Sequence, residues 1–130
     1  MKLLNIASLW APVLGFMVLI YALSAQESLP AAEYVWDKAL HTGAYALFGV
    51  LCLRAFHGGL RGLRPLPTLL ALTTTLLYAV LDELHQARVP GRDPSVLDWV
   101  ADAIGAGLSL PLAAWLARRR SSRRATRSAG

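Results

Sequence analysis

Apolar residues gather along this chain in four long runs, and polar residues collect at the ends of those runs. Leu3 to Ser24 contains no charged side chain and has about the ~20 residues that an α-helix needs to cross a bilayer. Ala39 to Phe56 is the second run, with His41 at its start and Arg54 at its end. The third, Leu66 to Leu81, is short alone but extends through Asp82 towards Gln86, giving a span over residues 66–84. Val96 to Ala117 is the fourth, interrupted by Asp98, Asp102 and Pro111. Breakers bound each run: Pro30, the Gly58-Gly59 pair, Pro65 and Pro67, and Pro90-Gly91. The pattern predicts an all-α fold, an integral membrane four-helix bundle over residues 1–117. The basic stretch from Arg118 to Gly130 lacks apolar periodicity and reads as a disordered tail on anionic lipid.

Composition supports a lipid environment. Of the 130 residues, 55% are hydrophobic and only 16% charged, against roughly 25% charged in soluble domains. A soluble core of this size cannot bury so much apolar sequence. The one cysteine, Cys52, excludes an internal disulfide and reads as a small buried hydrophobe. A pI near 10 suggests nucleic acid in a soluble protein. Here the basic residues flank apolar runs without stacking aromatics, so they read as topology signals and nucleic acid is not expected as a partner.

Positive charge sets the expected orientation. With both termini cytoplasmic, ten of the 13 Lys and Arg residues lie inside, leaving Lys38, Arg88 and Arg92 outside. All eight acidic residues, Glu27, Glu33, Asp37, Asp82, Glu83, Asp93, Asp98 and Asp102, then fall on the outer side. Tyr34, Trp36 and Trp99 mark the outer boundary and Trp115 the inner one. Met1-Lys2, the first run and Ala22-Leu23-Ser24 also resemble a cleavable secretory signal. The run exceeds the usual 7–15-residue signal core, so an uncleaved anchor is the preferred reading.

The polar residues share helix faces. Asp37, His41 and Tyr45 recur every four positions on the second helix, as do Tyr78, Asp82 and Gln86 on the third. Lys38 stands beside Asp37, and Glu83 and His85 beside the second set; Asp98 and Asp102 are again four apart, with Arg92 in the loop before them. Ionisable groups at membrane depth cost ~2.5–3.5 kcal/mol each on insertion scales, so they face a partner or a wet cavity. Glu83 and Asp93 fit solvated helix ends better than a site, and Asp37 fits an N-terminal carboxylate on the helix dipole equally well. His41, Asp82 and Asp102 lie deeper and favour a site. Ala101, Gly105, Ser109 and Ala113 form a small-residue stripe suited to close helix approach. That packing would carry Asp98 and Asp102 towards the other polar faces.

These motifs carry a resemblance. Asp37-Lys38-x-x-His41-x-x-x-Tyr45, Asp82-Glu83-x-x-Gln86, and Gly91-Arg92 followed by Asp98 and Gly105 resemble the pattern of the VanZ-like membrane proteins, over roughly Asp37 to Gly107. The resemblance implies a small bacterial inner-membrane protein with a role in the cell envelope. The family's namesake is associated with reduced susceptibility to teicoplanin, and no established reaction comes with the name. The family often has Asn where this chain has Asp102.

Three kinds of chemistry fit the residues. One is acid–base catalysis, hydrolysis or group transfer, on a lipid-linked envelope substrate or peptidoglycan precursor. Asp37, His41, Asp82, Asp98 and Asp102 are its candidate acid–base residues, with Lys38, Tyr45, Glu83, Gln86 and Arg92 binding substrate. No serine or cysteine nucleophile stands in the cluster. The second is recognition of an envelope lipid, peptide or the antibiotic by the same polar network. The third, a proton or solute conduit, lacks relay residues in the inner halves of the spans beyond Thr73-Thr74-Thr75, which back-bond readily. No cofactor is indicated. His41, Asp82 and Asp98 or Asp102 can offer metal ligands, but no metal-site spacing such as His-Glu-x-x-His occurs, and no metal is expected. Oligomeric state is not encoded in any recognisable motif.

Overall fold

A computed structural model describes residues 2–26, 34–60, 62–92 and 95–128, with side chains over 5–26, 37–60, 62–92 and 95–122. Glu27, Pro30, Glu33, Arg61 and Asp93, and the side chains of Lys2, Tyr34, Trp36, Arg123, Arg124 and Arg127, lie outside what is described. The elements are α1 (Lys2–Ser24), α2 (Tyr34–Phe56), α3 (Pro65–Gln86) and α4 (Val96–Ser128). All four are long and apolar enough to cross a membrane. The all-α, four-span architecture expected from the apolar runs is the one observed.

The helix ends follow from the breakers. Gly58, at φ +65°, closes α2: Gly59 N–H donates to Arg54 O at 2.8 Å and Gly58 N–H to Ala55 O at 3.1 Å. This is the Schellman arrangement, in which a left-handed glycine satisfies the last carbonyls. Pro65 starts α3 at a position that needs no N–H donor. Ser95 starts α4, its Oγ accepting from Leu97 N–H at 3.2 Å.

At its other end α4 departs from expectation. The span was expected to end at Ala117, with a disordered tail beyond, yet the helix continues to Ser128. Alanine and arginine are strong helix formers, and cations near a helix C-terminus complement its dipole. Arg119 also lies over the Trp115 ring at 4.0 Å.

Packing centres on α2, which α4 approaches most closely. Gly105 lies so near α2 that a side chain there would strike Thr42 O and Ala46 N. A Cβ on Gly49 would come within 2.6 Å of Ser109 Cβ and Oγ. The expected stripe is indeed the contact: Ala101, Gly105, Ser109 and Ala113 are all buried. Thr42 Oγ1 donates to Ala101 O across the same seam at 3.2 Å. Beneath it, Phe48 meets Phe16 of α1 and Tyr78 of α3, with ring centroids 6.2 and 5.3 Å apart. Cys52 is fully buried, as expected of a small hydrophobe. Outwards the bundle shows Leu14, Val18, Leu69, Leu77, Leu81 and Val96, each more than half exposed. Apolar side chains cover the outside because lipid is the solvent there.

Candidate functional site

The seam between α2 and α4 positions the polar groups. Its close approach at Gly105 sets Asp102, one turn earlier on α4, against His41 of α2: His41 Nδ1 and Asp102 Oδ1 are 2.9 Å apart. Asp102 has no exposed surface. Asp37, expected as the orienting partner of His41, stands 3.9 Å from Nε2, beyond hydrogen-bond reach. Helical spacing put Asp37 and His41 on one face, but the contact across the seam supplies the closer carboxylate. Asp37 is far more exposed than Asp82, Asp98 or Asp102, with 39% of its side chain accessible, as a solvated helix end would be.

One turn nearer the chain entry to α2, Lys38 bridges two helices. Its ammonium contacts Asp98 of α4 and lies 3.3 Å from Asp37 Oδ2. Lys38 and Asp98 were both candidates for the site; they are found paired with each other, which offsets the burial of Asp98.

On α3 a second chain of bonds forms. Buried Asp82 accepts from Gln86 Nε2 at 3.2 Å. Gln86 Oε1 accepts from Arg92 Nη1 at 3.1 Å, and Arg92 Nε donates to Gln26 O at 3.1 Å. Gln86 Nε2 also reaches Ser24 Oγ at 3.4 Å. Arg92 thereby ties the loop after α3 to the end of α1. Ser24 and Gln26 were not among the expected site residues; Ser24 drew notice only within a cleavage-like sequence. Glu83 faces the other side of α3, where Oε2 accepts from Ser95 N–H at 3.2 Å. It is a partly buried anchor for the start of α4, not a solvated helix end.

A cavity of about 290 Å³ opens beside these groups. Ile20, Leu23, Leu40 and Ala44 form its apolar wall, while Asp37, His41, Tyr45, Asp82 and Arg92 line its polar end. Tyr45 is buried and its hydroxyl has no hydrogen-bond partner among the described residues. Leu23 and Leu40 are more than half exposed, so the apolar side opens between α1 and α2 towards lipid. Eight of the ten expected site residues thus meet along two adjoining networks, Tyr45 lines the cavity between them, and Glu83 approaches from the α4 side. At the opposite end of the bundle His57 is structural: Nδ1 pairs with Leu53 O at 2.8 Å and Nε2 accepts from Arg64 N–H at 2.9 Å.

Two groups of side chains have metal-ligand geometry among the described residues: Asp37 with His41 and Asp98, and His41 with Glu83 and Asp102. The first already holds the Lys38 ammonium.

The VanZ/LLP1 family model matches residues 3–117, which takes in most of all four helices and every group described above. No curated protein and no solved structure matches the chain.

Proposed function

Since the chain belongs to the VanZ/LLP1 family, we propose that it works at the outer face of the bacterial cytoplasmic membrane, recognising the polar head of a lipid-linked envelope component. The carrying observation is the two-sided cavity, whose apolar wall opens between α1 and α2 and whose polar end holds His41, Asp82 and Arg92. A lipid can lay its chain along Ile20, Leu23 and Leu40 without leaving the bilayer and present its head to the polar groups. A glycopeptide antibiotic is several times larger than about 290 Å³, so it would engage only the rim. Orientation rests on the charge bias, with ten basic residues assigned inside and three outside.

The hydrogen bond between His41 and Asp102 favours a catalytic form of the same reading. A carboxylate that holds one imidazole nitrogen fixes ring and tautomer, leaving the other to move a proton at a bound head. Hydrolysis or group transfer at that head would follow.

Topology is tested by labelling single cysteines in a Cys52→Ala background. Ala87→Cys should react with a membrane-impermeant maleimide on intact cells, and Gly62→Cys only after permeabilisation; the reverse pattern would overturn the orientation. Ligand class is tested by comparing envelope lipids and peptidoglycan precursors from cells with and without the protein. One lipid-linked species should change, and the same species should co-purify with the chain. Ala44→Trp, which fills the cavity, should cut that co-purification about tenfold or more. Normal lipid retention in Ala44→Trp would sink the cavity reading. His41→Gln and Asp82→Asn then separate the two forms: lipid bound but unaltered means catalysis, lipid lost means recognition.

A further inference from the structure

We propose that His41, Glu83 and Asp102 form a binding site for a divalent transition-metal ion, with Zn²⁺ the best match. This goes beyond the lipid reading and does not depend on it. Three helices each supply one donor, a nitrogen from α2 and an oxygen from each of α3 and α4, all within 4.8 Å of one another. Ligands about 2.0–2.2 Å from a tetrahedral ion lie about 3.4 Å apart. Small side-chain movements therefore close the set around an ion.

Among the described residues, two oxygens in this set lack hydrogen-bond partners. Asp102 is wholly buried, and its Oδ2 accepts no hydrogen bond; Glu83 Oε1 is equally enclosed and equally unpaired. A buried carboxylate oxygen without a donor is costly. Lys38 contacts Asp98 and Asp37, Arg92 holds Gln86 and Gln26, and neither donates a hydrogen bond to these two oxygens. Charge points the same way. Five described carboxyls, on Asp37, Asp82, Glu83, Asp98 and Asp102, share this end of the bundle with three fixed cations, Lys38, Arg88 and Arg92. A divalent ion meets that excess from within.

The ligand chemistry suits such an ion. One imidazole with two carboxylates suits Zn²⁺ or Mn²⁺, and poorly suits Mg²⁺, which prefers oxygen donors and retained water. The Ser95 N–H that holds Glu83 Oε2 at 3.2 Å fixes that carboxylate while leaving Oε1 to bind, as outer contacts do for metal ligands. Three protein ligands leave a fourth position open. His41 also lines the cavity, so an oxygen of a bound molecule can approach that position.

The test uses the full chain in detergent, stripped with a chelator and dialysed against Zn²⁺, with bound metal measured by elemental mass spectrometry. Wild type should hold about one Zn²⁺ per chain, and Co²⁺ in its place should give tetrahedral visible bands. Glu83→Gln and His41→Gln should each weaken binding more than about 100-fold, beyond the ~10–100-fold that loss of an outer contact costs. Both variants should keep the helical circular dichroism of the metal-free wild type, and both should lose its Zn²⁺-induced rise in Tm. Asp102→Asn should behave alike if it folds; Glu83→Gln carries the test if it does not. Substoichiometric Zn²⁺ and Mn²⁺ in wild type would overturn the proposal, as would undiminished binding in Glu83→Gln. Loss confined to Asp37→Asn and Asp98→Asn would place the ion in the other group and overturn it too.

Discussion

Gly105→Leu is expected to abolish the folded bundle. A Cβ at this position alone would collide with Thr42 O and approach Ala46 N within 3.0 Å. Both obstacles are α2 backbone, so no rotamer change relieves them and the two helices must separate. Ordinary overpacking costs about 1–3 kcal/mol where side chains can shift; here the cost should exceed that range. In lipid no hydrophobic gain between helices compensates, because association depends on close packing and hydrogen bonds. Separation also breaks the Thr42–Ala101 bond and the His41–Asp102 contact one turn away. The fluorescent fusion should lose its monodisperse peak on size exclusion in mild detergent. Gly107→Leu is the control: this glycine sits two residues along the same helix, is exposed, and has nothing within 4 Å of a built Cβ. It should accumulate and elute like wild type. Equal behaviour of the two variants would show that the α2–α4 seam is not packed as described.

How far this seam was legible shows where sequence reasoning works in a membrane protein. Ala101, Gly105, Ser109 and Ala113 announced a close contact because small residues at a spacing of four have one use on an apolar helix. They did not name the partner helix. In lipid the outer face is as apolar as the core, so periodicity gives no rotation angle for a span. The exposed Leu77 and buried Ala79 of α3 differ in size, not in polarity. Contacts along one helix were therefore readable and contacts across helices were not. Asp37 and His41 were correctly placed on one face, yet the carboxylate that bonds His41 comes from α4. Glu83 read as a solvated end because its use depends on where α4 begins, at Ser95. Arg92 has the chemistry of a binding residue, and its acceptors, Gln26 O and Gln86 Oε1, follow from how a loop folds back. The stretch after Ala117 has the composition of a tail, while its arginines and alanines suffice to continue a helix already nucleated by α4, which runs to Ser128.

Lys38→Met should be the most destabilising change at the polar end, and more so than removing its partner. Asp98 is 5% exposed. Without the Lys38 ammonium its carboxylate stays buried, and breaking a buried pair from one side costs about 3–5 kcal/mol. Asp98→Asn leaves a different remainder. Lys38 keeps Asp37 Oδ2 at 3.3 Å, and a fifth of its side chain is accessible, so the ammonium remains solvated and paired. That variant should cost about 1 kcal/mol, the scale of a lost hydrogen bond. In the double variant Lys38→Met/Asp98→Asn no buried charge is left, and most of the stability should return. Denaturation of the purified chain in mixed micelles, followed by circular dichroism, measures all four corners of the cycle. The coupling between the two positions should exceed the 0.5–3 kcal/mol typical of touching residues, or lie at its upper end. Equal losses in the two single variants would mean that Asp98 reaches water, and the N-terminal end of α4 would then be open where this structure closes it.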